Sequence, residues 1–247
     1  MKVVTFEHSR WKFVFGSNLA GRHGKGAALT AQKHYGAKSG QGEGFAGRSY
    51  AIPTKDAELA VRSLDDIGRS VATFLRFAHQ RQDMEFQVTR LGCGLAGYTD
   101  ADIAPMFEDC PPNVLLPRKW YIQLGKVRPE FRLIVAGTRS FDDYAFVKAK
   151  LDALLAQVDV PVRIVSGTQE GIDSLGERYA AENHLALTRF EPDWNLFGNP
   201  AGPLRNEAMA WYSDALALFW RGDSKGSRSM LNIAQREGLP LRDIKVA

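Results

Sequence analysis

The feature that most constrains the fold is a regular alternation of short apolar runs and amphipathic helical patterns along residues 131–246. This alternation predicts strands at residues 131–136, 162–165, 185–190, 214–219 and 241–246, and helices at residues 142–157, 172–183, 203–212 and 226–237. Units of this size imply a parallel sheet with helices on both faces. Such sheets bind ligands beyond the carboxyl ends of their strands, so the loops that follow the strands are the candidate sites.

A looser alternation of the same kind runs through residues 1–127. It predicts strands at residues 12–15, 49–52, 85–91 and 114–116, and helices at residues 27–35, 59–80 and 100–107. Residues 125–130 combine Gly and Pro with charged residues, which is typical of a linker between domains. A chain of 247 residues has room for one or two domains. We therefore predict two α/β three-layer domains, residues 1–127 and residues 128–247.

Composition places the chain among ordinary globular proteins. Apolar residues make up 45% and charged residues 24% of the sequence, which excludes disorder as the dominant state. No apolar run approaches the roughly 18 residues of a membrane span, and the N-terminus lacks the apolar stretch of a signal peptide. Two cysteines are too few for a disulfide scaffold. We therefore expect a cytoplasmic location and no membrane partner.

Charge is distributed unevenly between the two halves. Residues 1–127 contain 17 Lys and Arg against 12 Asp and Glu, whereas residues 128–247 contain 15 against 16. The basic first half suits an anionic partner such as a nucleotide, although an excess of this size is also ordinary. The slightly acidic second half argues against nucleic acid as a partner. No spacing of His or Cys indicates a metal site. No cofactor is expected. The sequence is compatible with a monomer and with a homo-oligomer.

Two glycine-rich loops follow predicted strands in the first half, at residues 16–28 and 92–98. Glycine leaves main-chain amides open to a ligand, and successive amides beside a helix N-terminus bind anions. Residues 92–98 also have the spacing Gly-x-Gly-x-x-Gly of a dinucleotide-binding loop. That interpretation needs an acidic residue near the end of the next strand, whereas the nearest candidates, Glu108 and Asp109, precede that strand.

The order of these segments resembles the macro domain, in its compact branch of ADP-ribose glycohydrolases and phosphatases. The resemblance covers residues 12–117 and is carried by the Asn-containing loop, by Tyr-Ala-Ile-Pro-Thr-Lys at residues 50–55 and by Gly-Cys-Gly-Leu-Ala-Gly at residues 92–97. It implies an ADP-ribose pocket in which the second loop surrounds the diphosphate, and Asn18 with nearby amides holds the distal ribose. The ligand-binding residues that it implies are Gly16, Asn18, His23, Gly24, Gly26, Gly92, Gly94, Leu95, Ala96, Gly97 and Tyr98.

The first half contains only part of the catalytic pair that the resemblance implies. Lys55 matches the catalytic lysine of macro domains that cleave ester-linked ADP-ribose, and an exposed turn lysine is the alternative. Those enzymes have an acid in the second loop, where this chain has Ala96. His23 is either a source of charge beside a terminal phosphate or a solvated loop residue. Cys93 has no histidine at a spacing that would pair with it, which favours packing beneath the loop over a nucleophilic role.

Four segments that follow strands in the second half carry small, hydroxyl and charged residues that suit phosphate or ribose. They contribute the candidate ligand-binding residues Gly137, Arg139, Ser166, Gly167, Gly171, Asp173, Arg205, Asn206, Ser224, Gly226 and Ser227. We expect Arg139 and Arg205 to contact ligand phosphate, because each lies beside a turn of small residues. Asp173 begins a predicted helix, where a carboxylate also complements the helix dipole.

This order of loops resembles the SLOG superfamily of Rossmann-like nucleotide-binding domains over residues 131–246. The resemblance is carried by Gly-x-Arg-x-Phe at residues 137–141 and by Ala-Gly-Pro-Leu-Arg-Asn-Glu-Ala-Met at residues 201–209. In the phosphoribohydrolases of this superfamily an arginine and a glutamate share the catalysis. Arg205 matches that arginine and is the predicted catalytic residue of this half. The glutamate position is Met230, which cannot act as an acid or a base.

Together the two resemblances predict a protein that binds nucleotides derived from NAD, such as ADP-ribose. The acids missing at Ala96 and Met230 favour binding over catalysis. An ADP-ribosyl or N-glycosyl hydrolase is the first alternative. A nucleic-acid-binding or processing factor that uses the basic first half is the second.

Overall fold

The computed structural model describes residues 2–6, 10–126, 128 and 130–246. It divides the chain into two compact units. The N-terminal unit is Glu7–Val127, and the C-terminal unit combines Met1–Phe6 with Arg128–Ala247.

The first strand corrects the predicted extent of the first domain. β1 (Val3–Thr5) pairs in parallel with the strand Ala186–Arg189, so it belongs to the sheet of the C-terminal unit and not to the first domain. A three-residue strand is too short to show a periodicity, and only its pairing reveals its place. Val127 and Pro129 of the predicted linker lie outside the described residues.

The N-terminal unit contains a mixed sheet. Its strands are β2 (Trp11–Asn18), β3 (Gly44–Ala46), β4 (Ser49–Lys55), β5 (Glu85–Val88) and β6 (Val114–Leu115). Its helices are α1 (Gly26–His34), α2 (Leu64–Gln80), α3 (Asp100–Ile103) and α4 (Arg118–Gln123), and a 3-10 helix spans Ala104–Phe107. Among the described residues, the sheet has the order β3-β4-β2-β5-β6 and is parallel except for β3.

Helices cover both faces of this sheet. Successive side chains of β2 point to opposite faces, and each face packs against a different helix. The ring of Phe13 stacks on Tyr35, at the end of α1, with 4.7 Å between the ring centroids. Val14, the next residue, joins a buried cluster with Phe74 of α2. The alternation along one strand therefore produces three layers in the N-terminal unit.

The C-terminal unit alternates strands and helices along the chain. Its further strands are β7 (Phe131–Gly137), β8 (Val162–Ser166), β9 (Ala186–Arg189), β10 (Ala215–Trp220) and β11 (Leu241–Lys245). Its helices are α5 (Tyr144–Leu155), α6 (Ile172–Glu182), α7 (Trp194–Phe197), α8 (Ala201–Tyr212) and α9 (Lys225–Glu237). Across the described ranges, all strands of this unit run parallel in the order β1-β9-β8-β7-β10-β11.

This strand order has a switch point between β7 and β10. From β7 the chain builds outward to β8 and β9, and it then returns to add β10 and β11 on the other side of β7. The loops after β7 and β10 consequently leave toward opposite faces of the sheet. A crevice opens between such loops at the carboxyl ends of the strands, where doubly wound sheets bind their ligands.

The predicted α/β class is confirmed, and the differences lie in short or locally irregular segments. The sequence does not predict β1, β3, α4 or α7, none of which exceeds six residues. The helix expected at residues 100–107 becomes a 3-10 helix after Ile103, because Pro105 has no amide to donate. No helix in the described part of the chain has both the length and the apolar character needed to cross a membrane.

Candidate functional site

The C-terminal unit contains a cleft of about 460 Å³ at the carboxyl ends of β7, β8 and β10. It lies at the switch point of the sheet, where the strand order places a ligand. The residues that line it are Ala136, Gly137, Thr138, Arg139, Ser140, Gln169, Asp173, Arg205, Asn206, Met209, Asp223, Ser224, Gly226, Ser227 and Met230.

Most of the candidate residues predicted in the second half meet in this cleft. Those that line it are Gly137, Arg139, Asp173, Arg205, Asn206, Ser224, Gly226 and Ser227. Ser166, Gly167 and Gly171 do not line it and instead support the residues that do. The hydroxyl of Ser166, for example, donates to Glu177 Oε1 at 2.7 Å and accepts from the amide of Thr168 at 3.0 Å.

Two arginines bring positive charge to the cleft in different ways. Arg139 is exposed on the β7–α5 loop, and its guanidinium forms no hydrogen bond or ion pair with any described residue. Arg205 of α8 is only 8% exposed. Its Nε donates to Asn206 Oδ1 at 2.9 Å, and its Nη1 donates to the carbonyl of Gly167. Arg139 is thus available to a ligand, whereas Arg205 is engaged within the protein.

The electrostatics of Arg205 follow from its burial. Loss of hydration lowers the pKa of Arg205 below its ordinary value. The carboxylate of Asp173 opposes this shift, and the charge of Arg139 adds to it. The charges of the two arginines therefore repel each other, and the carboxylate of Asp173 offsets the charge of Arg205.

Asp173 lies in the first turn of α6, with 4% of its surface exposed. Its Oδ2 accepts hydrogen bonds from the amides of Gly167 at 3.1 Å and Gln169 at 3.4 Å, and the amide of Gly137 contributes a third. We call these three amides the amide nest. Burial raises the pKa of Asp173 to about 6, although the charge of Arg205 and the amide nest act in the opposite direction.

Close packing explains why glycine occupies two positions beside the cleft. A Cβ at Gly137 would overlap the carbonyl oxygen of Phe219 on β10. A Cβ at Gly167 would overlap the guanidinium of Arg205 and lie 2.9 Å from Asp173 Oδ2. The small-residue turns that the sequence shows after β7 and β8 therefore serve packing as well as ligand access.

The N-terminus of α9 forms one wall of the cleft. The Oγ of Ser224 caps the helix by accepting from the amide of Ser227 at 3.4 Å. The amides of Lys225 and Gly226 precede Arg228, whose amide donates the first helical bond to the carbonyl of Ser224, and neither has an acceptor among the described residues. A Cβ at Gly226 would meet only Ser224 Oγ, at 3.9 Å, so this turn is open. Available amides together with the helix dipole favour an anion here.

Some lining residues are not among those that the sequence selects as site residues. They are Ala136, Thr138, Ser140, Gln169, Met209, Asp223 and Met230. Met209 and Met230 are almost fully buried and give the cleft an apolar part. Thr138 is 8% exposed, and its Oγ1 is buried with no hydrogen-bond partner among the described residues. The signal for Thr138 was its place between Gly137 and Arg139 in one loop.

The first glycine-rich loop of the N-terminal unit is held by Asn18. Its Nδ2 donates to the carbonyl of Arg22 at 2.8 Å, and its Oδ1 accepts from the amide of Arg22 at 3.0 Å. Asn18 is itself buried. Both polar groups of this side chain therefore close the loop, which differs from the ribose contact that the resemblance implies.

His23 is only 3% exposed, so its interpretation as a solvated loop residue is wrong. Its Nε2 lies 3.1 Å from Ser17 Oγ, and its Nδ1 is buried with no partner among the described residues. Burial lowers the pKa of His23, which keeps the ring neutral near neutral pH. It therefore does not supply the positive charge proposed for it beside a phosphate. Gly24 and Gly26, by contrast, are exposed at the start of α1.

The second glycine-rich loop divides into a closed base and an open tip. In the base, the amides of Cys93, Gly97 and Tyr98 donate to main-chain carbonyls at residues 90–94, over 3.0 to 3.2 Å. The tip is formed by Gly94, Leu95 and Ala96, whose amides donate to no acceptor in the described part of the chain. Leu95 is 71% exposed. The amides that the open tip offers to an anion are therefore those of residues 94–96.

The remaining candidates of the N-terminal unit lie at the carboxyl ends of its strands. A Cβ at Gly16 would lie 3.5 Å from the amide nitrogen of Gly92, so β2 and the second loop are in contact there. Lys55 ends β4, and its ammonium has no partner within the described ranges. Burial and the charge of Asp100 raise the pKa of Cys93 to about 12, which disfavours the thiolate and with it a nucleophilic role.

Comparison with known proteins agrees with the architecture of the C-terminal unit. Residues 131–197 match the model of the YspA, cpYpsA-related SLOG family, abbreviated YAcAr. The match includes β7, β8, the amide nest and Asp173, and it indicates a nucleotide-related Rossmann-like domain in this unit. No curated protein and no solved structure matches the chain.

Proposed function

We propose that this protein binds nucleotides derived from NAD, one of them in the cleft of the C-terminal unit. The observation that carries this proposal is Arg139, an exposed guanidinium without a partner among the described residues. It lines the same cleft as the open N-terminus of α9. A cation and two available amides on one small surface suit a phosphoryl group.

Two further features support a nucleotide as the ligand. The buried Oγ1 of Thr138 lacks a hydrogen-bond partner among the described residues, and a polar atom of a ligand would satisfy it. Met209 and Met230 contribute apolar, polarisable side chains to the lining of the same cleft. Phosphate, sugar hydroxyls and a base need this combination of a cation, hydrogen-bonding groups and an apolar surface.

The same geometry supports binding more than hydrolysis. Met230 lines the cleft where the related hydrolases have their glutamate, and it is 2% exposed. Arg205, the predicted catalytic arginine, already donates to Gly167 and Asn206. We therefore propose a binding protein, and release of free base from a bound nucleotide would contradict this choice.

For the N-terminal unit we propose ADP-ribose as the ligand. The support is the resemblance over residues 12–117 and the open tip at residues 94–96, which offers three successive amides to a diphosphate. The exposed Gly24 and Gly26 at the start of α1 add a second group of accessible amides. Lys55 lies at the end of β4, which pairs with β2, and its ammonium, which has no partner among the described residues, adds positive charge.

Calorimetry of the full chain with AMP tests the C-terminal proposal. Arg139→Ala should weaken AMP binding about tenfold, because it removes a charge-assisted hydrogen bond without disturbing a protein contact. Arg242→Ala is the matched control, since Arg242 is exposed on β11 and does not line the cleft. Equal AMP affinity in the parent and Arg139→Ala would overturn the proposed site, and so would absence of AMP binding at millimolar ligand.

A further inference from the structure

Asp173 occupies a position that would otherwise bind an external anion. The amide nest brings together amides from the end of β7 and from the β8–α6 loop, next to the N-terminus of α6. Such a group of amides at the carboxyl edge of a parallel sheet favours a phosphate. Here the chain supplies the negative charge itself, since Oδ2 of Asp173 accepts from the amides of Gly167 and Gln169, and the amide of Gly137 also stabilises this carboxylate.

The cleft consequently has two regions that would favour an anion, and one of them is filled. The N-terminus of α9 has available amides and, in Arg139, a cation without a partner in the described structure. The amides of the amide nest already donate to Asp173, and the carboxylate of Asp173 lines the same cleft. A phosphoryl group is attracted to the first region and repelled from the second.

We propose that Asp173 is a specificity-determining residue that limits the cleft to ligands with a single phosphoryl group. This inference rests on the proposed nucleotide site and names the chemical class that the site accepts. A second phosphoryl group that extends from α9 toward β7 and β8 meets the carboxylate of Asp173, and it finds the amides beside it already occupied. Thr138 Oγ1, which has no hydrogen-bond partner in the part of the chain that the structure describes, then binds a neutral polar atom of the ligand, such as a sugar hydroxyl.

The consequence is measurable as a ratio of affinities. The parent protein should bind AMP at least about tenfold more tightly than ADP, since like charges placed side by side in a cleft repel strongly. Asp173→Asn retains an acceptor for the amide nest and removes the charge. Asp173→Asn should reduce the ratio of AMP affinity to ADP affinity at least about fivefold, because ADP binds more tightly once the charge is removed. Asp159→Asn is the control, because Asp159 is exposed and does not line the cleft.

Calorimetry with AMP and ADP on the full chain tests the inference, and binding to the cleft is identified as the component whose affinity falls in Arg139→Ala. Asp173→Ser, a smaller neutral acceptor, is the second variant in case Asp173→Asn does not fold. Equal affinities for AMP and ADP in the parent would overturn the role of Asp173 while leaving the nucleotide site intact. A ratio that both Asp173 variants leave unchanged would also overturn it. If neither nucleotide binds the parent, the proposed function fails, and this inference fails with it.

Discussion

The amide of Gly167 donates a hydrogen bond of 3.1 Å to Oδ2 of Asp173, and the carbonyl of Gly167 accepts one from Arg205. One glycine therefore links a buried carboxylate to a buried guanidinium, and α6 to α8. Arg205 therefore stabilises the structure of the cleft through its hydrogen bond to Gly167. The exposed Arg139 is the arginine left to meet a ligand.

Arg205→Ala should destabilise the C-terminal unit by about 1–3 kcal/mol, because the carbonyl of Gly167 loses its donor in a buried site. The loss of the neighbouring cation should also raise the pKa of Asp173 further. Urea unfolding of the parent, Arg205→Ala and Arg139→Ala measures the difference. Arg139→Ala should unfold like the parent, and equal stability of all three proteins would contradict the structural role of Arg205.

Asp173 should make the C-terminal unit more stable at mildly acidic pH. Its pKa in the folded protein is about 6, above the ordinary value of 3.8, so the folded state binds more protons between these values. The stabilising contribution is complete below pH 3.8 and is lost as the pH rises through about 6. Asp173→Asn should flatten this part of the stability profile, whereas Asp159→Asn should not. Hydrogen exchange of peptides from β8 across this pH range measures the stability of the C-terminal unit in the parent and in both variants.

His23 should have the opposite effect on the N-terminal unit. Burial lowers its pKa in the folded state below the ordinary value of 6.5, so the unfolded chain binds the proton more readily. Its contribution to stability is complete above pH 6.5 and is lost as the pH falls through the lower folded value. His23→Gln should remove this acid sensitivity, and His79→Gln, on the exposed side of α2, should keep it. Hydrogen exchange of β2 peptides in the three proteins is the measurement.

Gly137→Ala and Gly226→Ala should change the unfolding free energy in opposite directions, because the backbone of Gly137 is closely packed and that of Gly226 is not. A Cβ at Gly137 overlaps the carbonyl of Phe219, which should cost about 1–3 kcal/mol or more in unfolding free energy. A Cβ at Gly226 lies in open space within α9, where Ala should stabilise the helix by up to about 1 kcal/mol. Chemical denaturation of both variants gives the two values, and a tolerated Gly137→Ala would show that β7 and β10 are packed less closely.

Gly94→Glu should abolish ADP-ribose binding by the N-terminal unit. The substitution puts a carboxylate at the open tip of the second loop and repels the diphosphate. A Cβ at Gly94 meets nothing within 4 Å, so the fold should be unaffected. Gly97 is a poorer choice, because its φ of +81° strains any other residue. Gly68→Glu, in open space on α2, is the matched control in calorimetry with ADP-ribose. Unchanged binding by Gly94→Glu would rule out the tip as the diphosphate site.

The sequence alone determined the α/β class and the edge of the sheet at which the candidate loops lie. The periodicity of each segment depends on residues close along the chain, and the alternation of strands and helices then fixes a parallel sheet. The candidates Arg139, Asp173 and Ser224 were accessible to sequence reasoning for this reason. The strand order, which only the structure provides, then places the loops after β7 and β10 on either side of a crevice.

What the tertiary structure decided is which groups are still available to a ligand. Arg205 and Gly167 are 38 positions apart, and only the packing of α8 against the strand ends brings them into contact. The same holds for the burial of His23 and for β1, three residues whose partner strand is more than 180 positions away. A hydrogen bond between distant segments leaves no periodic signal in the sequence. The folded chain therefore decides that Arg205 is held by hydrogen bonds within the protein, whereas the guanidinium of Arg139 has no partner among the described residues.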